Sequence, residues 1–302
     1  MTPPLPHAPC AQAPLCAAPD AHPRKPCLQM PTLACDTHAH ICGPIAKAPY
    51  SERRVYTPPD ALLPAYRHML NTLGVQRMVL IQPSVYGSDN TVMLAAMREI
   101  GTAARGVAVV DDDVSDAELN RLHIAGIRGV RVNVVDVAEG KGVLQMAPLI
   151  TLARRIQPFG WHMEFLMHAD EFPDLDRVFA DFPVDIVLGH LGYMKTDQGI
   201  EHAGFQALLR LMQHGRAWVK LTGPYRISTQ VLPHTDTVPY AHALLAAAPH
   251  HVLWGTDWPH VMVKGAMPND GDLADLLLQW AADANVREQV LVANPARLYG
   301  FD

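Results

Sequence analysis

The fold and the site both depend on one short stretch, Asp36-Thr37-His38-Ala39-His40, which ends a short apolar run. Side chains of a β-strand alternate between its two faces, so His38 and His40 point to one side and Ala39 to the other. If this strand belongs to a parallel barrel, both imidazoles lie inside its carboxyl end, where such barrels carry their chemistry. Two neighbouring imidazoles can bind a divalent metal or polarise a carbonyl by hydrogen bonding.

The rest of the chain alternates short apolar runs with segments of helical apolar spacing. Eight runs are predicted as strands, at 33–36, 78–82, 106–110, 129–133, 162–166, 185–189, 217–221 and 251–255. Strands that alternate with helices pair in parallel through right-handed crossovers. Eight such units in about 260 residues are typical of an α/β fold of the (β/α)₈ TIM barrel type. No Gly-x-Gly-x-x-Gly follows the first strand, which removes the usual argument for a dinucleotide-binding sheet.

Composition divides the 302-residue chain into two parts of different character. Residues 1–31 are rich in Pro and Ala and lack the continuous apolar core of a secretory signal. We expect them to form an N-terminal arm, extended or disordered, outside the catalytic fold. Residues 32–302 are then the (β/α)₈ catalytic domain. Across the whole chain, the five cysteines include no Cys-x-x-Cys pair, which argues against a zinc knuckle.

Charge and hydropathy exclude two classes of partner. The formal net charge is −6 and the sequence has no basic cluster, so nucleic acid is not expected as a partner. No apolar run reaches the length that would span a membrane. The sequence therefore predicts a soluble, cytoplasmic protein that acts on a small molecule, as a monomer or a small homo-oligomer.

Polar and ionisable residues collect at the carboxyl end of almost every predicted strand. In chain order they are His38, His40, Gln82, Ser84, Tyr86, Arg131, Asn133, Glu164, His168, His190, Lys195, Lys220, Arg226, Asp257 and His260. Asp257 ends a buried strand, so its carboxylate must be paired, bound to a metal or functional, unless it caps a helix. His190 lies between two glycines and could instead be a packing residue of its loop.

Each charged residue in this set also has a structural interpretation. Glu164 and Lys220 could form a salt bridge with each other. Arg128, Lys195 and Arg226 could each be a solvated surface charge, whereas strand alternation aims Arg131 inwards. Taken together, these cations indicate a pocket for an anionic ligand, because guanidinium groups bind carboxylates in a bidentate manner. His260 is expected to be a loop residue rather than a ligand.

With these residues the chain resembles the amidohydrolase superfamily, in particular its branch of 2-pyrone-4,6-dicarboxylate lactonase-like enzymes. The resemblance runs from about residue 33 to residue 299, and no single motif decides it. It depends on the order and spacing of several stretches: Asp36-Thr37-His38-Ala39-His40, Gln82-Pro83-Ser84, Gly126-Ile127-Arg128-Gly129-Val130-Arg131, Gly189-His190-Leu191-Gly192, Trp254-Gly255-Thr256-Asp257-Trp258-Pro259-His260 and Asn294-Pro295-Ala296-Arg297.

The resemblance implies a hydrolase that opens the ring ester of a carboxylated lactone in a catabolic pathway. Asp257 is then the base that takes a proton from water. The three imidazoles of the set polarise the scissile carbonyl or hold a divalent ion; these are His38, His40 and His190. Arg131 and Arg226 are implied to bind substrate carboxylates. Weaker candidates for substrate binding are Arg128, Ser84, Tyr50 and Lys195.

Metal dependence stays open at this point. His38, His40, His190 and Asp257 would suit one divalent ion, with Zn²⁺ the first choice. The same four groups can act through hydrogen bonds alone, and the lactonase branch is known for working without a metal. The sequence offers no carbamylated-lysine position after the fourth strand, which weighs against a binuclear centre.

Departures from the lactonase pattern leave the substrate and two other reactions open. Leu166 stands where the branch has a substrate-contacting tyrosine, and Tyr193-Met194-Lys195 replaces an arginine-bearing loop. The alternatives are a decarboxylase of the same superfamily and an isomerase of sugar-acid lactones. A non-catalytic binding barrel is the remaining alternative, and retention of the three histidines and Asp257 argues against it.

Overall fold

The computed structural model describes residues 13–136 and 142–302. Its centre is one eight-stranded sheet in which every strand pairs in parallel with the next strand along the chain. The strands are β1 (Cys35–Ala39), β2 (Arg77–Ile81), β3 (Ala104–Ala108), β4 (Ile127–Asn133), β5 (His162–Leu166), β6 (Ile186–Leu188), β7 (Ala217–Leu221) and β8 (Val252–Trp254). The eight predicted strands and the (β/α)₈ barrel are therefore confirmed.

The barrel closes between β8 and β1 through the segment that follows β8. The amide of Asp257 donates to the carbonyl of His38 at 2.8 Å, and the amide of His40 donates to the carbonyl of Trp258 at 2.8 Å. We call this junction the seam. It places the His-x-His stretch directly beside the residues that follow the last strand.

Helices cover the outside of the barrel. They are α1 (Leu63–Leu73), α2 (Thr91–Ile100), α3 (Asp116–Ile124), α4 (Met146–Ile156), α5 (Leu175–Val178), α6 (Ala203–Gln213), α7 (Val238–Ala247), α8 (Asp270–Asp275), α9 (Leu277–Trp280), α10 (Ala284–Glu288) and α11 (Asn294–Tyr299). Local chemistry sets their ends: the Ser115 side chain caps α3, and Gly74, in the left-handed region, ends α1. Helical apolar spacing also predicts a helix at 171–181, but only the single turn of α5 forms there, because Pro173 and Pro183 bracket the segment.

The strand side chains divide between two hydrophobic clusters, as the two faces of a closed sheet require. The larger cluster joins the outer face to the helices. The smaller one contains Val79, Val107, Val187, Trp218 and Leu253 together with Tyr299 and Phe301 from the end of the chain. Lys220 lies two residues after Trp218 and so shares its face. The inner face of the barrel thus changes from apolar to polar towards the carboxyl ends of the strands.

The described part of the N-terminal arm lies extended against the barrel. The amide of Cys16 donates to the carbonyl of Thr57 at 2.9 Å, and Leu28 is buried. Arg24 pairs with Asp272 and Asp275 of α8, at 2.7 and 2.6 Å. Residues 1–12 of the predicted arm, including Cys10, lie outside the described residues. Among the described residues, no helix is both long and apolar enough to cross a bilayer.

Candidate active site

Three imidazoles converge at the carboxyl end of the barrel. The ring centroid of His38 lies 5.1 Å from that of His40 and 5.3 Å from that of His190. All three side chains are buried. Burial lowers the pKa of His40 to about 4 and that of His190 to about 3, with Arg131 adding to both shifts. Burial and then Lys220 also lower the pKa of His38, so at neutral pH the three rings are uncharged.

Asp257 faces these rings from the seam, and its two oxygens have different surroundings. Oδ2 accepts hydrogen bonds from Nε of Arg226 and from the hydroxyl of Tyr225, both at 2.6 Å. Oδ1 lies 3.7 Å from Nε2 of His38 and has no hydrogen-bond partner among the described residues. Burial by itself would raise the pKa of Asp257, but Arg226 and the nearby imidazoles hold it well below its usual range. The carboxylate is therefore ionised, with one oxygen free.

The orientation of His40 is fixed by the neighbouring strand. Its Nδ1 lies 2.8 Å from the carbonyl oxygen of Ile81, at the end of β2. A carbonyl can only accept, so Nδ1 carries the proton and Nε2 has a free lone pair. His40 can thus accept a proton or bind a cation through Nε2, but as a neutral ring it cannot donate from that atom.

Part of this set has the spacing of a metal site. His38, His40 and Asp257 each offer a ligand atom, and these three atoms lie within 4.8 Å of one another. Nε2 of His38 and Oδ1 of Asp257 are both buried without a partner among the described residues, which is how atoms that share a cation are arranged. Nitrogen and carboxylate donors of this kind fit a divalent ion of the zinc type. His190, which the sequence analysis included, is not part of this group; the structure places its ring beside His38.

Asp36 orders both sides of the seam. Its Oδ1 accepts from the amides of His38 and Thr256 at 3.0 and 2.9 Å, and its Oδ2 accepts from the hydroxyls of Thr256 and Tyr66 at 2.6 and 2.9 Å. Burial raises the pKa of Asp36 to about 6 in spite of these donors. One carboxylate thus holds the backbone that carries His38 and the backbone that leads into Asp257.

A buried chain of polar groups supports Asp257 from behind. The Tyr225 hydroxyl lies 2.9 Å from Nδ1 of His260, and Nε2 of His260 lies 3.1 Å from Oδ1 of Asp270. The single hydroxyl proton of Tyr225 is donated to Asp257, so Tyr225 must accept from a protonated Nδ1 of His260. The Nδ1–H of His260 thus supports the hydroxyl that donates to Asp257, and Asp270 holds the other edge of the imidazole. His260 is a buried member of this chain and does not contact the imidazoles of the site.

Glu164 and Lys220 form the salt bridge that was expected as their structural alternative to a role in the site. Nζ of Lys220 lies 2.6 Å from Oε2 of Glu164 and 2.8 Å from the carbonyl oxygen of Thr37, and neither charged side chain is exposed. Burial lowers the pKa of Lys220, and Glu164 opposes that shift. The pair bridges β5 and β7 next to His38.

Three of the predicted substrate-binding residues lie near the mouth of the barrel. Arg131 is buried and donates to the carbonyl of Gln82 at 2.8 Å, close enough to act on the pKa of His40 and of His190. Arg226 and Lys195 line a cavity of 290 Å³ at the mouth, and Lys195 donates to the carbonyl of Arg226 at 2.7 Å. Arg226 also holds Asp257, so it acts on the base as well as lining the cavity.

The two predicted hydroxyl candidates lie against a group of tyrosines on one side of the site. The Ser84 hydroxyl lies 3.4 Å from the hydroxyl of Tyr56. Tyr50 is buried with its ring 5.1 Å from that of Tyr86, and its hydroxyl has no hydrogen-bond partner among the described residues.

The structure corrects one expectation: Arg128 is not at the site. It is the second residue of β4 and donates to the carbonyls of His123 and Ile127 at the amino end of the barrel. It lines a separate cavity there with Arg105. The strand runs longer than predicted at its beginning, so only Arg131, three residues on, reaches the carboxyl end.

Sequence reasoning missed three residues that shape the base. Tyr225 stands next to Arg226, and no sequence signal connects it to Asp257, whose Oδ2 it contacts. Asp36 precedes the His-x-His pair and was read as part of the strand. Asp270 lies thirteen residues after Asp257, and no motif connects the two.

Residues 35–301 match the amidohydrolase family. The chain is 37% identical over 291 residues to the 2-pyrone-4,6-dicarboxylate hydrolase of Comamonas testosteroni, with 92% of this chain and 94% of that protein covered. It is 36% identical to the 4-sulfomuconolactone hydrolase of Rhizobium radiobacter, covering 96% and 97% of the two chains. It is also 31% identical to a D-galactarolactone isomerase of Agrobacterium fabrum, covering 80% and 83%.

Solved structures agree with these relatives. A probable 2-pyrone-4,6-dicarboxylic acid hydrolase from Acinetobacter baumannii, crystallised with citric acid bound, superimposes with a TM-score of 0.78 at 26% identity, covering 89% of this chain and all of that one. A 5-carboxyvanillate decarboxylase from Sphingomonas paucimobilis has a TM-score of 0.59 at 13% identity, a likeness that shows the fold alone. With its barrel, its His-x-His stretch and the aspartate after the last strand, the chain belongs to the amidohydrolase family.

Proposed function

We propose that this protein is a hydrolase that opens the ring ester of a carboxylated lactone. The observation that carries the proposal is the free Oδ1 of Asp257, an ionised oxygen that faces a cluster of neutral imidazoles. Ester hydrolysis needs a base to take a proton from water and a polar environment for the oxyanion. In this assignment residues 32–302 carry the activity and residues 1–31 are an N-terminal arm, whose described part, residues 13–31, packs against them.

The reaction proceeds in two steps on the side chains of the site. Oδ1 of Asp257 takes a proton from water while the water oxygen bonds to the lactone carbonyl carbon, whose carbonyl oxygen becomes an oxyanion. His38 and His190 surround that oxygen and stabilise its charge. The bond between the carbonyl carbon and the ring oxygen then breaks, and the protonated Asp257 returns its proton to the departing ring oxygen. The product is an open-chain acid, and the base is restored.

Cations at the mouth select an anionic substrate. Arg131, Arg226 and Lys195 surround the approach to Asp257, and fixed cations orient a carboxylate-bearing substrate for attack. Ser84 and Tyr50 supply hydroxyls on the side of the site where the group of tyrosines lies. The names of the relatives refer to a pyrone dicarboxylate and a sulfonated muconolactone, and both substrates carry acid groups.

A divalent ion, with Zn²⁺ the first choice, would be held by His38, His40 and Asp257. When bound, such an ion lowers the pKa of water and polarises a carbonyl. The alternative is a metal-free site in which the same side chains act through hydrogen bonds. A chelator would inhibit the metal-dependent enzyme and leave the metal-free enzyme active. We further propose a cytoplasmic enzyme, a monomer or small homo-oligomer.

The test is a panel of pyrone, muconolactone and aldarolactone substrates, assayed with and without chelator beside metal analysis of the purified protein. We expect loss of lactone absorbance with release of one proton and no CO₂. Asp257→Asn should lower kcat by about 10³-fold, because the amide cannot accept the proton. Asp257 has a left-handed φ of 67°, which asparagine also tolerates, so the backbone is conserved. Unchanged turnover in this variant would refute the assignment of the base.

Isomerisation of a sugar-acid lactone is the second candidate, because one relative is named for that reaction. The same active-site carboxylate could move a proton between two hydroxyls of one molecule. Product analysis by NMR separates the two: an isomerase returns a ring of changed size, and a hydrolase returns an open acid. Decarboxylation rests on fold likeness alone, and release of CO₂ in the assay would support it.

A further inference from the structure

We propose that Lys220 is a positioning residue that keeps the ring proton of His38 on Nε2, so that His38 faces the substrate as a hydrogen-bond donor. The catalytic consequence rests on the proposed function, whereas the position of the proton can be measured without any substrate. The two histidines of the motif then have opposite tautomers, since His40 carries its proton on Nδ1.

The first argument is the hydrogen-bond capacity of the buried ammonium. Lys220 is fully buried and has three N–H groups. Two of them reach Oε2 of Glu164 at 2.6 Å and the carbonyl of Thr37 at 2.8 Å. The remaining acceptor is Nδ1 of His38, at 3.4 Å. An ammonium cannot accept a hydrogen bond. A proton on Nδ1 would therefore face the positive charge and leave the third N–H of Lys220 without an acceptor.

The second argument comes from the other nitrogen of the ring. Nε2 of His38 faces Oδ1 of Asp257 at 3.7 Å, and neither atom has a hydrogen-bond partner among the described residues. An N–H directed at a carboxylate is attractive, whereas a lone pair directed at it is repulsive. Both ends of the ring therefore favour the proton on Nε2, for independent reasons.

Glu164 is the competing group, since its Oε1 lies 3.3 Å from Nδ1 of His38. That contact does not have hydrogen-bond geometry, and the charge of Glu164 is balanced by the ammonium on its other oxygen. Glu164 thus acts on His38 through Lys220: it holds the ammonium in place. Removing the ammonium would leave the Glu164 carboxylate free to accept a hydrogen bond from Nδ1 of His38, which would favour the proton on Nδ1.

The asymmetry gives the two histidines different tasks. His38 donates from Nε2 towards the oxygen that becomes the oxyanion, and His40 presents a lone pair. A metal bound to Nε2 of His38 would push the proton to Nδ1, against the ammonium. Lys220 therefore weakens metal binding at this ring, and its removal strengthens it.

The test is long-range ¹H–¹⁵N NMR of the imidazoles in the protein as purified and after chelator treatment, with His38 assigned from a His38→Gln variant. We expect an Nε2–H ring in the chelated wild type and in Glu164→Gln, whose amide oxygen still accepts from Lys220. Lys220→Met should show an Nδ1–H ring, a kcat lower by about 100-fold with KM within a few-fold, and Zn²⁺ binding at least tenfold tighter. Glu99→Gln, which breaks an exposed 2.6 Å ion pair with Arg67, is the matched control and should change none of these.

An Nδ1–H ring in the chelated wild type would overturn the proposal outright, even if Lys220→Met failed to fold. Loss of the Nε2–H ring in Glu164→Gln would also overturn it, because Lys220, still in place, would then not be what keeps the proton on Nε2. If the wild type shows an Nε2–H ring but opens no lactone, the proposed function fails and the tautomer assignment stands.

Discussion

The two carboxylate oxygens of Asp257 differ in their hydrogen-bond partners. Oδ2 is held by Arg226 and Tyr225, and Oδ1 is free to act as the base. Donors to a carboxylate favour its charged form and lower its pKa. The proposed base is thus ionised at neutral pH, and we expect activity to be lost only when the pH falls through its depressed pKa.

Tyr225→Phe tests this arrangement. Removing one donor should raise the pKa of Asp257, so the acid limb of the kcat/KM profile should move to higher pH by about one unit. The profile between pH 3 and pH 8 measures it. Tyr240→Phe removes a buried hydroxyl that bonds to the carbonyl of Thr196 instead, and should leave the limb unmoved. An acid limb that stays in place in Tyr225→Phe would contradict the role of Oδ2.

At the scale of single residues, the sequence predicted which side chains form the candidate site better than it predicted the residues that contact them. Alternation along a strand brought His38 and His40 together, and the burial of the last strand identified Asp257. The prediction that Arg128 binds substrate was wrong because charge type alone cannot show at which end of a strand a side chain lies. Tyr225 and Asp270 could not be found because their partners lie on other elements, and only the folded chain makes them neighbours.

Among the connecting elements, the loop after β7 passes very close to the groups of the candidate site. Gly223 has a φ of 54°, and a Cβ there would lie 2.7 Å from Nδ1 of His190 and 2.9 Å from Oδ2 of Asp257. Both distances are below any normal contact, so a methyl group must displace the imidazole or the base. The glycine therefore lets the loop carry Tyr225 and Arg226 against the site.

Gly223→Ala should lower kcat/KM by about 100-fold, since displacing a catalytic group by an ångström has an effect of that size. Gly160→Ala is the matched control: its φ is 67°, but a Cβ there meets nothing within 4 Å. It should cost about 1 kcal/mol of stability and no activity. Steady-state kinetics and urea unfolding of both variants separate the two effects. Equal losses of activity would show that the backbone conformation, and not the clash, is responsible.

Elements were the most predictable level of this fold. All eight strands follow from apolar runs of the right length, because strands buried on both faces need continuous hydrophobic residues. The short α5 and the broken helices after β8 were less predictable, since prolines and tertiary packing decide where such helices end. The seam could not be predicted, because it is built from side chains and single bonds rather than a periodic pattern.

For the molecule as a whole, the buried imidazoles set the stability towards acid. The pKa of His40 and of His162 is lowered to about 4, and that of His190 to about 3, mainly by burial. Each ring binds a proton near pH 6.5 when unfolded but resists it when folded, so each contributes stability that is lost as pH falls from about 6.5 towards those values. Asp36, with its raised pKa of about 6, has the opposite effect and offsets part of the loss.

His162→Leu isolates one of these groups away from the site, next to Tyr299. Between pH 7 and pH 5 the free energy of unfolding of the wild type should fall by about 2 kcal/mol more than that of the variant. Urea unfolding at the two pH values measures the difference. His68→Gln, an exposed histidine on α1, should follow the wild type. Parallel curves for wild type and His162→Leu would show that this ring does not titrate between the two states.

The seam joins residues from near the beginning and near the end of the chain. His38 and His40 leave the ribosome well before Asp257 and the strand that precedes it, because synthesis follows the order of the chain. A nascent chain stalled before β8 therefore contains every imidazole of the cluster and no base. Turnover can begin only when β8 and the segment after it have emerged and docked, so chains that stop before β8 are expected to be inert towards metabolites of the cell.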